Sequence, residues 1–253
     1  MRIPVVLVHG FVGNLHLGEL RAHLDPASVF SPDLLGYGLY RGIPEENLTV
    51  PEQVRHLARY LDRELPGERV MLVGHSAGVA IVMRYARQFP ARVAAIVSAE
   101  GNLAPSDAFL SSRLAPMSPA DVEGWLETAR DNPAALMTSD GHRLTGPALV
   151  RMTGWLAHQS AKTIHTAARA VLAETSRASY EAEVRATMAA VPTYLVSGEK
   201  TPDAMRSPAW ARDLAQGSFV IPRTGHLMVL EEPEEVSRCL SLVVDAVRAR
   251  GAR

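Results

Sequence analysis

The chain has 253 residues, of which 47% are hydrophobic and 21% charged; these proportions fit a folded domain with a sizeable core and exclude a disordered segment. Its formal net charge of −1 gives no electrostatic case for nucleic acid or an anionic membrane as partner. A single cysteine, Cys239, excludes an internal disulfide framework, and its place in the apolar pattern of the last helix argues for packing over thiol chemistry.

Ile3 to Val8 is a continuous apolar run, which predicts a strand buried on both faces of a parallel sheet, and His9-Gly10-Phe11 follows it. No signal-peptide pattern opens the chain and no apolar stretch is long enough to span a bilayer, so a cytoplasmic location is expected. Asn14 to Asp25 carries a short helical pattern that Pro26 ends, and Asp33-Leu34-Leu35-Gly36-Tyr37-Gly38 forms a turn-rich loop after Val29-Phe30. Asp33 is expected to hydrogen-bond local backbone there. Thr49-Val50-Pro51-Glu52 reads as a helix start, Val54, Leu57, Leu61 and Leu65 as its buried face, and Pro66-Gly67 as its stop.

Val70 to Val73 then predicts a buried strand and Val79 to Ala86 a helix, with Gly74-His75-Ser76-Ala77-Gly78 between them. A serine with glycines at −2 and +2, set between strand and helix, has the form of a nucleophile elbow. The tight turn projects the hydroxyl from the sheet, and bulkier neighbours would collide with strand or helix. Arg92 to Ala99 predicts another strand, which delivers Glu100-Gly101-Asn102 to the sheet end that carries Ser76, where open parallel sheets bind ligands.

From about 103 to 191 the strand–helix alternation stops. Ser118 or Pro119 to Arg130, Pro147 to Gln159, Lys162 to Thr175 and Tyr180 to Ala189 read as four helices. Pro192 to Gly198 and Ser218 to Pro222 return to strand character, with a helix around Pro208 to Gln216 between them and Arg223-Thr224-Gly225-His226 after the last strand. Pro233 to Arg248 predicts a terminal amphipathic helix, and Arg248 to Arg253 a frayed, solvated tail.

The elbow, the His9-Gly10 pair, the D-x-x-G-x-G run from Asp33, and Gly225-His226 followed by Glu231-Glu232-Pro233 make the chain resemble the α/β-hydrolase family. The resemblance implies an α/β fold with a mostly parallel, doubly wound sheet, a core formed by 1–102 and 191–253, and a helical cap over 103–190. Most relatives carry two further strands ahead of the first seen here, so about six are expected, with Ala27 to Pro32 at the edge. An uncovered edge is a pairing liability, so that edge is either shielded or the contact of a possible homodimer.

A serine hydroxyl needs an imidazole to take its proton and a carboxylate to fix the tautomer of that imidazole. Of the nine histidines, His226 alone combines chain order with a loop after the final strand. The family pattern G-x-x-D after the seventh strand reads Gly198-Glu199-Lys200-Thr201 here, with Asp203 two residues late and Glu199 two residues early. Haloalkane dehalogenases and zearalenone-lactonase-like hydrolases place the acid after the sixth strand instead. Glu100 stands there, 24 residues beyond Ser76. Glu100 is the preferred acid, Asp203 the alternative and Glu199 the third choice.

The resemblance gives the oxyanion-holding N–H groups to Phe11 and Ala77, and the pocket wall to cap residues, with Trp125, Trp155, His158, His165 and Met152 as candidates. Dehalogenases attack with an aspartate, whereas Ser76 suits acyl transfer. The expected function is hydrolysis of a small carboxylic ester or lactone, without metal or cofactor. The alternatives are thioester or C–C cleavage on the same residues, and a non-catalytic sensor or scaffold.

Overall fold

The computed structural model of the chain describes residues 2–136, 144 and 146–251. Six strands pair in parallel: β1 (Val5–Val8), β2 (Val29–Phe30), β3 (Val70–His75), β4 (Val93–Ala99), β5 (Thr193–Gly198) and β6 (Gly217–Ile221), in the sheet order β2-β1-β3-β4-β5-β6. Every residue of β1, β3 and β4 is buried, because helices cover the middle of the sheet and its strands have no solvent face. At the far edge β6 alternates exposed and half-buried positions before Ile221, as a strand with one covered face does.

The expected edge strand is shorter than its apolar run. Pro26 starts a 3₁₀ turn that consumes Ala27 and Ser28, leaving two residues of β2. Arg2 screens this edge, donating from its guanidinium to the Ala27 carbonyl at 2.6 Å and to Ser28 Oγ at 3.0 Å. A short edge with a cation over it offers little to a second chain.

Helix α1 (Val50–Glu64) begins where expected, with Thr49 Oγ1 accepting from the Glu52 N–H and Pro51 in the first turn. It packs beside α2 (Gly78–Gln88), the helix that follows the elbow. Between β4 and β5 lie α3 (Phe109–Leu114), α4 (Pro119–Asp131), α5 (Gly146–Ala157), α6 (Ala161–Thr175) and α7 (Tyr180–Ala190). The last four correspond to the predicted helices, and Ser118 and Ser160 cap α4 and α6. α3 was not predicted, since six residues give too short a window for a 3.6-residue period.

After β5 come α8 (Ala209–Leu214), α9 (Met228–Glu231) and α10 (Pro233–Gly251). Two expectations need correction. Asn14 to Asp25 holds only a 3₁₀ turn, Gly18–Arg21, and the expected tail from Arg248 continues α10 as far as Gly251, with Ala252 and Arg253 outside the described residues. Among the described residues no helix is long and apolar enough to cross a membrane.

Candidate active site

Strand β3 ends at His75 and α2 starts at Gly78, so the chain reverses within Ser76 and Ala77. Ser76 takes a φ of 53°, in the left-handed region that non-glycine residues avoid at a cost of about 1–3 kcal/mol. The flanking glycines make the turn sterically affordable. A Cβ at Gly74 would press within 2.9 Å of the Val79 backbone, and one at Gly78 would collide with the Val8 and His9 carbonyl oxygens. Both glycines of the motif therefore hold helix and strand in contact.

The Ser76 hydroxyl lies 3.1 Å from His226 Nε2, and His226 Nδ1 lies 3.0 Å from Glu100 Oε2. An ionised carboxylate can only accept, so Nδ1 carries the proton and Nε2 offers its lone pair to Ser76. The Glu100 side chain is 1% exposed and that of His226 10%. Glu100 Oε1 accepts the Gly198 N–H at 2.7 Å, which fixes the carboxylate. Glu100 itself has a φ of 45°, a second strained residue at the same sheet edge.

The His226 loop is tied down on both sides. Gly225 donates its N–H to Glu231 Oε1 at 3.0 Å, and the His226 carbonyl accepts from His75 Nε2 at 3.0 Å. Burial pulls the His75 pKa down to about 3, so that ring is neutral at ordinary pH.

Gly10, just before Phe11, packs against Ser76 and Ala77. A Cβ built at Gly10 would stand 3.1 Å from Ser76 Cβ and 3.5 Å from the Ala77 nitrogen, so the turn leading to Phe11 lies against the elbow. His9 braces it, with Nδ1 at 2.8 Å from the Gly10 carbonyl and Nε2 accepting the Leu34 N–H at 3.2 Å, while burial lowers its pKa to about 4. Tyr37, fully buried, donates its hydroxyl to the Phe11 carbonyl at 2.9 Å.

A narrow cavity of about 20 Å³ opens beside Ser76 and His226, with Phe11, Leu110, Met152 and Trp155 in its wall. A second, of about 30 Å³, opens between Ser76, Glu100 and Asp107. Trp155 and Met152 thus stand where expected. Trp125, His158 and His165 do not. Trp125 is half-buried against the packing of α4, whose inward face is Val122, Leu126 and Ala129. His158, just past α5, is drawn away by Asp33, whose Oδ1 lies 3.1 Å from its Nε2, and His165 Nε2 reaches the Ala115 carbonyl at 3.3 Å.

The alternative acids also stand apart from His226. The Asp203 side chain is 97% exposed beside Arg206, and Glu199 Oε2 accepts the Arg223 N–H at 2.7 Å. Asp33 does hold local backbone, its Oδ2 accepting from Leu39 at 3.1 Å, and in addition meets His158. The role of Leu110 in the wall was not read from the sequence, because it lies on the short helix α3 that carried no pattern.

Two curated proteins match stretches of this chain. A 2-hydroxy-6-oxo-2,4-heptadienoate hydrolase of Pseudomonas putida is 36% identical over 102 residues, 37% of this chain and 36% of that protein. Lipase LipV of Mycobacterium tuberculosis is 36% identical over 94 residues, 37% of this chain and 35% of that protein. The chain therefore spans little more than a third of either relative.

Solved structures extend the likeness to the whole chain as a likeness of fold. One, from work on the carboxylesterases of the thaumarchaeon Nitrososphaera gargenis, superposes with a TM-score of 0.73 at 18% identity, covering 98% of this chain and 92% of that one. The haloalkane dehalogenase DbeA-M1 loop variant of Bradyrhizobium elkanii gives a TM-score of 0.73 at 20% identity over 99% and 92% of the two chains. The family model described as "Alpha/beta hydrolase family" matches residues 5–238, from the first residue of β1 into α10, and by that match the chain belongs to the alpha/beta hydrolase family.

Proposed function

We propose that the protein is a serine hydrolase that cleaves a small carboxylic ester or lactone through an acyl-enzyme. The observation that carries this reading is the relay Ser76–His226–Glu100, with contacts of 3.1 and 3.0 Å. Nε2 of His226 takes the hydroxyl proton as Ser76 Oγ bonds to the carbonyl carbon, and the oxygen that gains the charge accepts from the N–H groups of Phe11 and Ala77. The imidazolium, balanced by Glu100, returns the proton to the leaving oxygen as the C–O bond breaks. Water then repeats the cycle on the acyl-enzyme and frees the acid.

The narrowness of both cavities favours a small substrate. The lipase and carboxylesterase likenesses support an ester, and Ser76 in place of an aspartate argues against dehalogenation. The stretch resembling the heptadienoate hydrolase supports a second reading, C–C cleavage of a keto acid by the same side chains.

The test is turnover of p-nitrophenyl esters of graded chain length beside simple lactones and a 2-hydroxy-6-oxo-dienoate. Short esters or lactones are expected to be hydrolysed by the native protein and Ser76→Ala to lose at least 10³-fold in kcat/KM. Turnover of the dienoate alone selects the second reading. Ester turnover that survives Ser76→Ala contradicts both.

A further inference from the structure

Two cavities meet at Ser76 and His226, and their walls differ in charge. The one bounded by Phe11, Met152 and Trp155 has no Asp, Glu, Lys or Arg in its wall among the described residues. The other brings Asp107 and Phe109 beside Ser76, Glu100 and His226, and its volume of about 30 Å³ leaves room for about two water-sized groups.

Asp107 ends the 3₁₀ turn Pro105–Asp107, just ahead of α3. Its Oδ2 accepts the N–H groups of Leu103 and Ala104 at 3.0 and 2.8 Å, while Oδ1 receives the Ser106 hydroxyl at 3.3 Å. Burial raises the pKa of this carboxyl, and the charge of Glu181 adds to the rise. The carboxylates buried more deeply all have a basic partner: Glu174 lies against Arg84 and Arg177, Glu100 against His226 and Asp33 against His158. Among the described residues no Lys or Arg is paired with Asp107. Charges withdrawn from water are ordinarily paired, so an unpaired carboxylate in the wall of the nucleophile's cavity points to a cation that arrives with the substrate. In so narrow a space the attraction acts across several ångströms, whichever oxygen stands nearer.

We propose that this cavity takes an ammonium group carried by the substrate near its reacting carbonyl, with Asp107 as its counter-ion and the Phe109 ring as a second contact. Phe109 is 40% exposed, so its ring borders both the cavity and solvent. A cation gains from the carboxylate and from the aromatic ring together, whereas a methyl group leaves Asp107 unpaired and a carboxylate meets it as a like charge. The uncharged side of the ester then lies in the other cavity, against Met152 and Trp155. The proposal rests on the reading of Ser76 as the reacting group and names the substrate class as amino esters.

The test uses esters matched in shape and differing in charge. On the acyl side these are methyl butanoate and methyl 3-aminopropanoate; on the alcohol side, 3-methylbutyl acetate and 2-(dimethylamino)ethyl acetate. Dissociation constants are measured at pH 7, where both amines are protonated, by ligand-observed NMR on Ser76→Ala, which cannot consume the esters. In at least one pair the cationic ester is expected to bind about tenfold more tightly. Asp107→Asn keeps an oxygen for the Leu103 and Ala104 N–H groups and removes the charge; added to Ser76→Ala, it is expected to bring the ratio within about twofold. Phe109→Leu, at an exposed ring, is expected to lower the ratio about threefold.

Equal affinities in both pairs overturn the proposal whatever the second variants do, and so does a preference that persists in Asp107→Asn. Should that variant fail to fold, Phe109→Leu decides: a reduced preference locates the ammonium in this cavity, and an unchanged one overturns the proposal. Turnover by the native protein is read separately. Preference for the cation without ester turnover keeps the ammonium site and removes the esterase reading, whereas turnover without preference does the reverse.

Discussion

Glu100 shows how much a single side chain can be asked to do. One oxygen accepts the Gly198 N–H and the other holds His226 Nδ1, so the carboxylate is spent on orienting the imidazole. In Glu100→Gln the amide oxygen can still accept from Gly198, which turns the NH₂ group toward His226. That imidazole must then accept at Nδ1 and carry its proton on Nε2, where it cannot take one from Ser76. A loss of about 10⁴-fold in kcat is expected with the fold intact. Asp203→Asn, at a side chain 97% exposed, is expected to change kcat less than twofold. Steady-state kinetics on the two variants checks both, and a crippled Asp203→Asn would reverse the assignment. Ser76 and His226 were legible in the sequence because spacing and loop context mark them. Glu100 was legible as a preference only, because a carboxylate after a strand has no motif of its own. The pocket wall was barely legible: Trp125, Trp155 and His158 are alike in sequence, and only the rotation of α4 and the pull of Asp33 on His158 separate them.

Elements read well wherever burial imposed a pattern. β1, β3 and β4 are covered on both faces and appear as unbroken apolar runs, and α1 appears through its buried Val54, Leu57 and Leu61. The caps set helix starts to within a residue, as Thr49, Ser118 and Ser160 show. Short elements were the failures. α3 and the one-turn helix α9 are held by contacts from distant segments, and the pattern at Asn14 to Asp25 shrank to four residues of 3₁₀ helix. The strained φ values of Ser76 and Glu100 were foreseen only at Ser76, because there glycines announce the turn.

At the scale of the whole molecule, α2 is tied to the helices between β4 and β5. Glu174 on α6, its side chain 5% exposed, accepts from Arg84 on α2 at 2.9 and 2.7 Å and from Arg177 at 2.8 Å. Stability as a function of pH follows from groups buried deeper still. His9 and His75 have pKa values of about 4 and about 3, both lowered by burial from an ordinary 6.5. Below about pH 6.5 the unfolded chain binds protons at these rings that the folded chain does not. Stability is therefore complete above that pH and falls as pH drops toward 4. Thermal melts between pH 7.5 and 4 are expected to show Tm falling throughout the acid half, with a shallower fall in His75→Gln. A Tm that is flat down to pH 4.5 would mean that one or both rings are already charged in the folded state.

The central claim is that Ser76 is a nucleophile activated by His226. It is tested most directly by treating the native protein with a fluorophosphonate and locating the adduct by mass spectrometry after digestion. The account predicts one adduct, on Ser76, with labelling slowed to background in His226→Ala. A native protein that stays unlabelled, or an adduct on any other residue, would contradict it.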